Sequence, residues 1–197
     1  MRKEDLFDLI RRVTEISGVA SPIIVGSQSI YSITDQVPQI VRGSYEADFL
    51  LAGDDSDARI IVNKELGVTS TFYDTHGYFA DGLGLATVTL APGWQDRLQP
   101  LKDDNDQVVA RCLEVYDLAV SKLIAGREKD LIFLCYLLDG RMISMNLLME
   151  RAETIRETAF EGALLPRLER LHNHLRSERS AHELAPLINL INQLKSR

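Results

Sequence analysis

The segment Ser44-Tyr45-Glu46-Ala47-Asp48-Phe49-Leu50-Leu51 constrains the chain more than any other stretch. Its apolar content reads as a strand, and a strand sends successive side chains to opposite faces. Glu46 and Asp48 then share one face, with Tyr45, Ala47 and Phe49 on the other. Two acids inside an apolar segment are costly to bury unless water, a cation or a partner meets them. Spaced by two residues, they can share a Mg²⁺, which takes carboxylate oxygens together with substrate phosphates. About twenty residues upstream, Ile23-Ile24-Val25 reads as a central strand that runs into Gly26-Ser27 and a following helix. Backbone N–H groups and a hydroxyl at such a step suit a phosphate. An edge strand with a solvated acidic face fits the same spacing.

The rest of the chain surrounds this segment with mixed α and β patterns. Residues 4–16 carry apolar side chains at helical spacing and stop at Gly18. Pro38 and Gly43 bracket a break, and Ser56 or Asp57 offers a cap for the next helix. Residues 69–91 read as irregular up to a strand at Leu85–Leu90, and residues 95–110 as a strand pair around the Asp103-Asp104-Asn105-Asp106 turn. From Glu114 to Leu138 the pattern is helical, and residues 144–157, 161–176 and 181–195 give further amphipathic helices. The expected fold is therefore α+β: a small mixed sheet flanked by helices in residues 1–110, with a helical region, 111–197, packed on it.

Composition narrows the classes. A chain of 197 residues fits one domain, or one domain with a helical extension. The longest apolar run, Leu131–Leu138, is eight residues, whereas a membrane helix needs about 20. The N-terminus lacks the pattern of a signal peptide, and Cys112 and Cys135 form no CxxC or disulfide framework, so a reduced, cytoplasmic protein is expected. Residues 1–110 hold 9 Lys/Arg against 17 Asp/Glu, net −8, and residues 151–197 are net +2. That balance argues against a general DNA-binding surface. The acidic clusters at 54–57 and 103–106 read as solvated turns.

Gly26-Ser27 followed by Glu46-x-Asp48 resembles the nucleotidyltransferase (polymerase-beta-like) superfamily. Further stretches, Gly26-Ser27-Gln28, Ser44-x-Glu46-Ala47-Asp48, 72–82, 91–98 and 116–131, are similar to a bacterial group of uncharacterised nucleotidyltransferase-like proteins. That group is related to abortive-infection and toxin–antitoxin transferases. The resemblance implies that Glu46 and Asp48 hold Mg²⁺ or another divalent cation and that Gly26 and Ser27 contact the phosphates of an NTP. It leaves the acceptor open, RNA and protein among the candidates, and allows a homo-oligomer. Two departures stand out: the first acid is Glu rather than Asp, and the expected later strand, Leu85–Leu90, carries no third carboxylate. Asp74 and Asp81 could serve only if their glycine-rich stretch folds back.

If 114–138 is one helix, Lys122 and Lys129 fall inside its apolar stripe. They then snorkel, pair with an acid such as Asp130, or reach Glu46, Asp48 or a triphosphate. His76 beside Asp74 offers a base or a structural ring, and Trp94 reads as a core residue. The expected function is metal-dependent transfer of a nucleotidyl group from an NTP to a hydroxyl. Its rival is a catalytically silent binding or regulatory partner, favoured by the missing third acid and set in a toxin–antitoxin or phage-defence system.

Overall fold

The computed structural model describes residues 1–37, 39–51 and 57–196. The break expected at Pro38, the cap expected at Ser56 and most of the 54–57 cluster lie outside the described residues. The chain forms two compact units, one of Met1–Val88 with Gln95–Glu114 and one of Thr89–Trp94 with Val115–Arg197.

The first unit is built on a five-stranded mixed sheet. Strands β1 (Ile23–Ile24), β2 (Glu46–Leu50), β3 (Phe79–Leu83), β4 (Gln99–Lys102) and β5 (Val108–Cys112) stand in the order β3-β2-β1-β5-β4. β1 runs antiparallel to β2 and parallel to β5, β2 runs parallel to β3, and β4–β5 is an antiparallel pair. Helix α1 (Lys3–Ser17) buries Leu6, Leu9, Ile10 and Val13, the spacing of one helical face. Gly18 ends it at φ 72°, where its N–H reaches the Thr14 carbonyl. The short helix α2 (Gln39–Arg42) precedes β2, and α3 (Asp57–Leu66) and α4 (Thr71–His76) precede β3.

Two local expectations change here. The strand lies at Phe79–Leu83, and Leu85–Thr87 is a 3₁₀ turn with Leu85 about half exposed. The β-branched letters of 85–90 carry strand propensity, but pairing with β2 decides the matter, as context overrides propensity in sheets. After Gly26 the chain makes a 3₁₀ helix, Ser27–Ser32. There the Ser29 hydroxyl donates to the Ile24 carbonyl at 2.8 Å and the Ser32 hydroxyl to that of Ser29 at 2.8 Å. Such side-chain bonds compete with a regular helix.

The second unit is helical: α5 (Val115–Ala125), α6 (Glu128–Asp139), α7 (Met145–Glu153), α8 (Glu161–Leu175) and α9 (Ala181–Lys195). The expected single helix over 114–138 is two helices. Gly126 sits between them at φ 60°, a left-handed conformation that stops α5. Arg167 Nε then donates to the freed Ile124 carbonyl at 2.9 Å, and Arg170 donates to that of Gly126. Asp130 starts α6 by accepting the Arg127 backbone N–H at 3.1 Å and its Nε at 2.7 Å. Asp117 is fully buried and bonded by Arg151 at 2.5 Å. Both cysteines are free; burial pushes the Cys112 thiol up to about 12, which leaves it inert. No helix among the described residues is long and apolar enough to cross a membrane.

Burial works to raise the Asp130 carboxyl, but Arg127 and Lys122 outweigh it and hold it below the usual carboxylate range. Its contribution is thus present above the ordinary carboxylate value and is lost as pH falls through the lowered one. Asp130→Asn is expected to cost about 2 kcal/mol at neutral pH and to flatten the acid limb of stability. Urea melts from pH 7 to pH 3 check this; an unchanged acid limb contradicts it.

Candidate functional site

β2 and β3 pair in parallel with Glu46 opposite Phe79, Ala47 opposite Ala80, Asp48 opposite Asp81, and Phe49 opposite Gly82. Residues paired in register point to the same sheet face. The face of Gly82 is fixed by α3: a Cβ placed there would meet the Asn63 Oδ1 at 3.1 Å and the Arg59 carbonyl at 3.3 Å. Asn63 also exchanges two hydrogen bonds with the Gly82 backbone, at 2.9 and 2.6 Å. Ala47, Phe49 and Ala80 are fully buried on that helix-covered side. Glu46, Asp48 and Asp81 take the opposite side and are half-buried.

The three acids are therefore on one face of two adjacent strands. Burial, and after it the charge of Glu46, pushes the Asp81 carboxyl above its ordinary value. Carboxylates on neighbouring strands repel each other, and all three offer only hard oxygen donors. Among the described residues, however, no three His, Cys, Asp or Glu side chains converge to hold a metal by themselves. A magnesium ion needs fewer protein ligands, because it is commonly bound by one or two carboxylates plus substrate phosphates. The acid face fits that smaller requirement.

Gly26 stands directly against this face. Its residue neighbour Val25 donates its N–H to the Asp48 carbonyl at 3.0 Å. A Cβ on Gly26 would lie 1.7 Å from Asp48 Oδ2, so only glycine leaves room for that carboxylate. Ser27 follows and is half-buried. Gln28 is fully buried and ties the step to α2 through its amide, which donates to the Val41 carbonyl at 3.2 Å. Tyr78, just before β3, donates to Asp8 of α1 at 3.0 Å. Burial first, then that bond, raises its hydroxyl to about 12, so it remains a donor that fixes where β3 begins.

The other candidates fall elsewhere. Lys122 is largely buried in the second unit, 3.5 Å from Asp130 and 5.9 Å from the Phe133 ring centre. Lys129 is exposed, not within an apolar stripe, because the break at Gly126 resets the helical phase between the two lysines. His76 stacks on Phe72 at 4.2 Å, and its Nδ1 lies 3.0 Å from the Phe72 carbonyl, a structural setting. Asp74 is exposed on α4. Trp94 is buried. Asp81 is the residue that pattern reading misplaced. A signal for it exists: Ala80-Asp81-x-Leu83 repeats Ala47-Asp48-x-Leu50, and the two stretches pair residue for residue.

Two outcomes follow from this geometry. Gly26→Ala is expected to destabilise the fold by about 1–3 kcal/mol through overpacking, and Asp48→Ala in the same chain to restore much of that loss. Additive losses in a double-mutant cycle of denaturant melts contradict the contact. Asp81 behaves oppositely to Asp130 with pH. Its raised value means that stability is full below the ordinary carboxylate value and is lost as pH rises through the raised one. Metal-free Asp81→Asn protein should melt like wild type at the acidic end of that window and progressively higher above it. A melting temperature that drops at neutral pH contradicts this.

No match to a curated protein or to a solved structure was found. Residues 4–161 match one family, and that span takes in the whole acid face, the Gly26-Ser27 step and helices α5 to α7. The chain belongs to the family described as a nucleotidyltransferase of unknown function (DUF6036).

Proposed function

We propose that the protein transfers a nucleotidyl group from an NTP to a hydroxyl acceptor at the acid face of β2 and β3. The observation that carries this reading is the register of Asp48 with Asp81, with Gly26 tucked beneath the Asp48 carboxylate. Glu46 and Asp48 would hold a divalent cation, Mg²⁺ being the natural choice for oxygen ligands beside phosphate. When bound, it neutralises phosphate charge and orients the reacting oxygens. Gly26 lets the chain approach the phosphates closely, and the Ser27 hydroxyl donates to a phosphate oxygen. Asp81, whose carboxyl burial and Glu46 hold up, accepts the proton of the attacking hydroxyl as its oxygen bonds to the α-phosphorus and the α–β phosphoanhydride bond breaks to release pyrophosphate. Lys122 and Lys129 stand outside this reading, since Asp130 and Phe133 already engage the first.

The motif set supports grouping the chain with the transferases of abortive-infection and toxin–antitoxin systems, and RNA and protein are the acceptors to test. NTP as donor implies the cytoplasm.

Calorimetry with each NTP, with and without Mg²⁺, is expected to show binding only when the cation is present. Glu46→Ala and Asp48→Ala should abolish it. Asp81→Asn should keep binding and lower transfer of label from an α-labelled NTP to RNA or protein by about 10²–10⁴-fold. No heat with any nucleotide, or equal binding by wild type and both alanine variants, overturns the reading.

A further inference from the structure

A groove of about 800 Å³ runs between α1 and the β4–β5 hairpin, separate from the acid face of β2 and β3. Its floor is apolar: Phe7, with the core residue Ile10 beneath it, on one side, and Val108 and Val109 on the other. Val108 is 46% exposed, although it is a β-branched residue beside other apolar groups. Glu4 and Glu15 line the helix bank, and Asp103 and Asp104 the hairpin bank.

The cations nearby are already engaged. Arg11 pairs within its own helix with Asp8 at 2.6 Å and Glu15 at 2.9 Å. Lys102 pairs with Asp106 at 2.8 Å. Glu4 and Asp104 are exposed and make no hydrogen bond or ion pair among the described residues. The groove thus keeps an apolar floor between two negative banks. Nucleic acid and anionic lipid are repelled by such a rim. From Glu4 to Glu15 the helix bank spans about 16 Å, three turns at 1.5 Å per residue.

We infer that this groove docks a basic amphipathic helix of a partner protein, about three turns long. Its apolar face covers Phe7, Val108 and Val109, and its lysines or arginines flank that face to meet Glu4 and Asp104 across the groove. This is the helix-in-groove mode, with anchors at i, i+3 or i+4, and i+7. It does not depend on the nucleotidyl-transfer reading.

The test uses the full chain and a fluorescein-labelled leucine–lysine amphipathic peptide about 15 residues long, with a leucine–glutamate peptide of the same pattern beside it. Fluorescence anisotropy should show micromolar binding of the lysine peptide, weakened by salt, and none of the glutamate peptide. The double variant Glu4→Lys with Asp104→Lys should weaken binding at least about tenfold, and so should Val108→Asp. Glu65→Lys with Glu150→Lys reverses the same charge at other exposed positions and should leave affinity within about twofold. Circular dichroism melts confirm that each variant is folded. Absence of lysine-peptide binding, equal binding of the glutamate peptide, or an equal loss with the Glu65/Glu150 variant overturns the inference.

Discussion

The parallel register that sets Asp48 beside Asp81 is the constraint from which the site follows. Two carboxylates on neighbouring strands repel, and a third acid, Glu46, adds to the charge on the same face. A sheet face of that kind lowers the stability of the protein. The scaffold holds it in place by other means. Asn63 grips the Gly82 backbone from α3, Tyr78 anchors the start of β3 to Asp8, and the fully buried Ala47, Phe49 and Ala80 lock the opposite side. Together these hold the observed register, because a one-residue slip would turn the acids of the slipped strand under α3.

The Gly26 contact belongs to the same constraint. Its missing Cβ gives the Asp48 carboxylate its place, and the following 3₁₀ helix is pinned by Ser29 and by the buried amide of Gln28. Gly26, Gln28 and Ser29 therefore have distinct physical reasons. Those reasons concern space and anchoring first, and phosphate only through the reading proposed for the site.

Much of the fold class was legible because periodicity is a strong signal. The spacing of Leu6, Leu9 and Val13, with Gly18 at the end, specifies α1, and the alternation around Glu46 specifies β2. The turn acids at 103–106 mark the β4–β5 hairpin, where Asp103 caps two backbone N–H groups. β3 was not legible by the same rule. Gly77, Gly82 and Gly84 make its stretch read as a loop, while the β-branched letters at 85–90 attract the assignment; only pairing with β2 reverses it. Asp81, which pairs with Asp48, was therefore present in the sequence but assigned to the wrong kind of segment. The break in 114–138 is similar. One glycine inside an otherwise helical pattern is often tolerated, and here Gly126 ends a helix because Arg167 and Arg170 take up the carbonyls it frees. That long-range bonding is invisible to a local pattern, and the inward position inferred for Lys129 failed with it.

We propose that the acids of β2, with Asp81 beside them, form a divalent-cation site that takes a nucleotide. The most direct measurement is anomalous scattering from crystals grown with Mn²⁺ and a non-hydrolysable NTP. An anomalous peak is expected within about 2.6 Å of carboxylate oxygens of Glu46 and Asp48, with the phosphates facing Gly26 and Ser27. A peak at any other carboxylate cluster, or nucleotide bound away from β2 with no peak at Asp48, would contradict it.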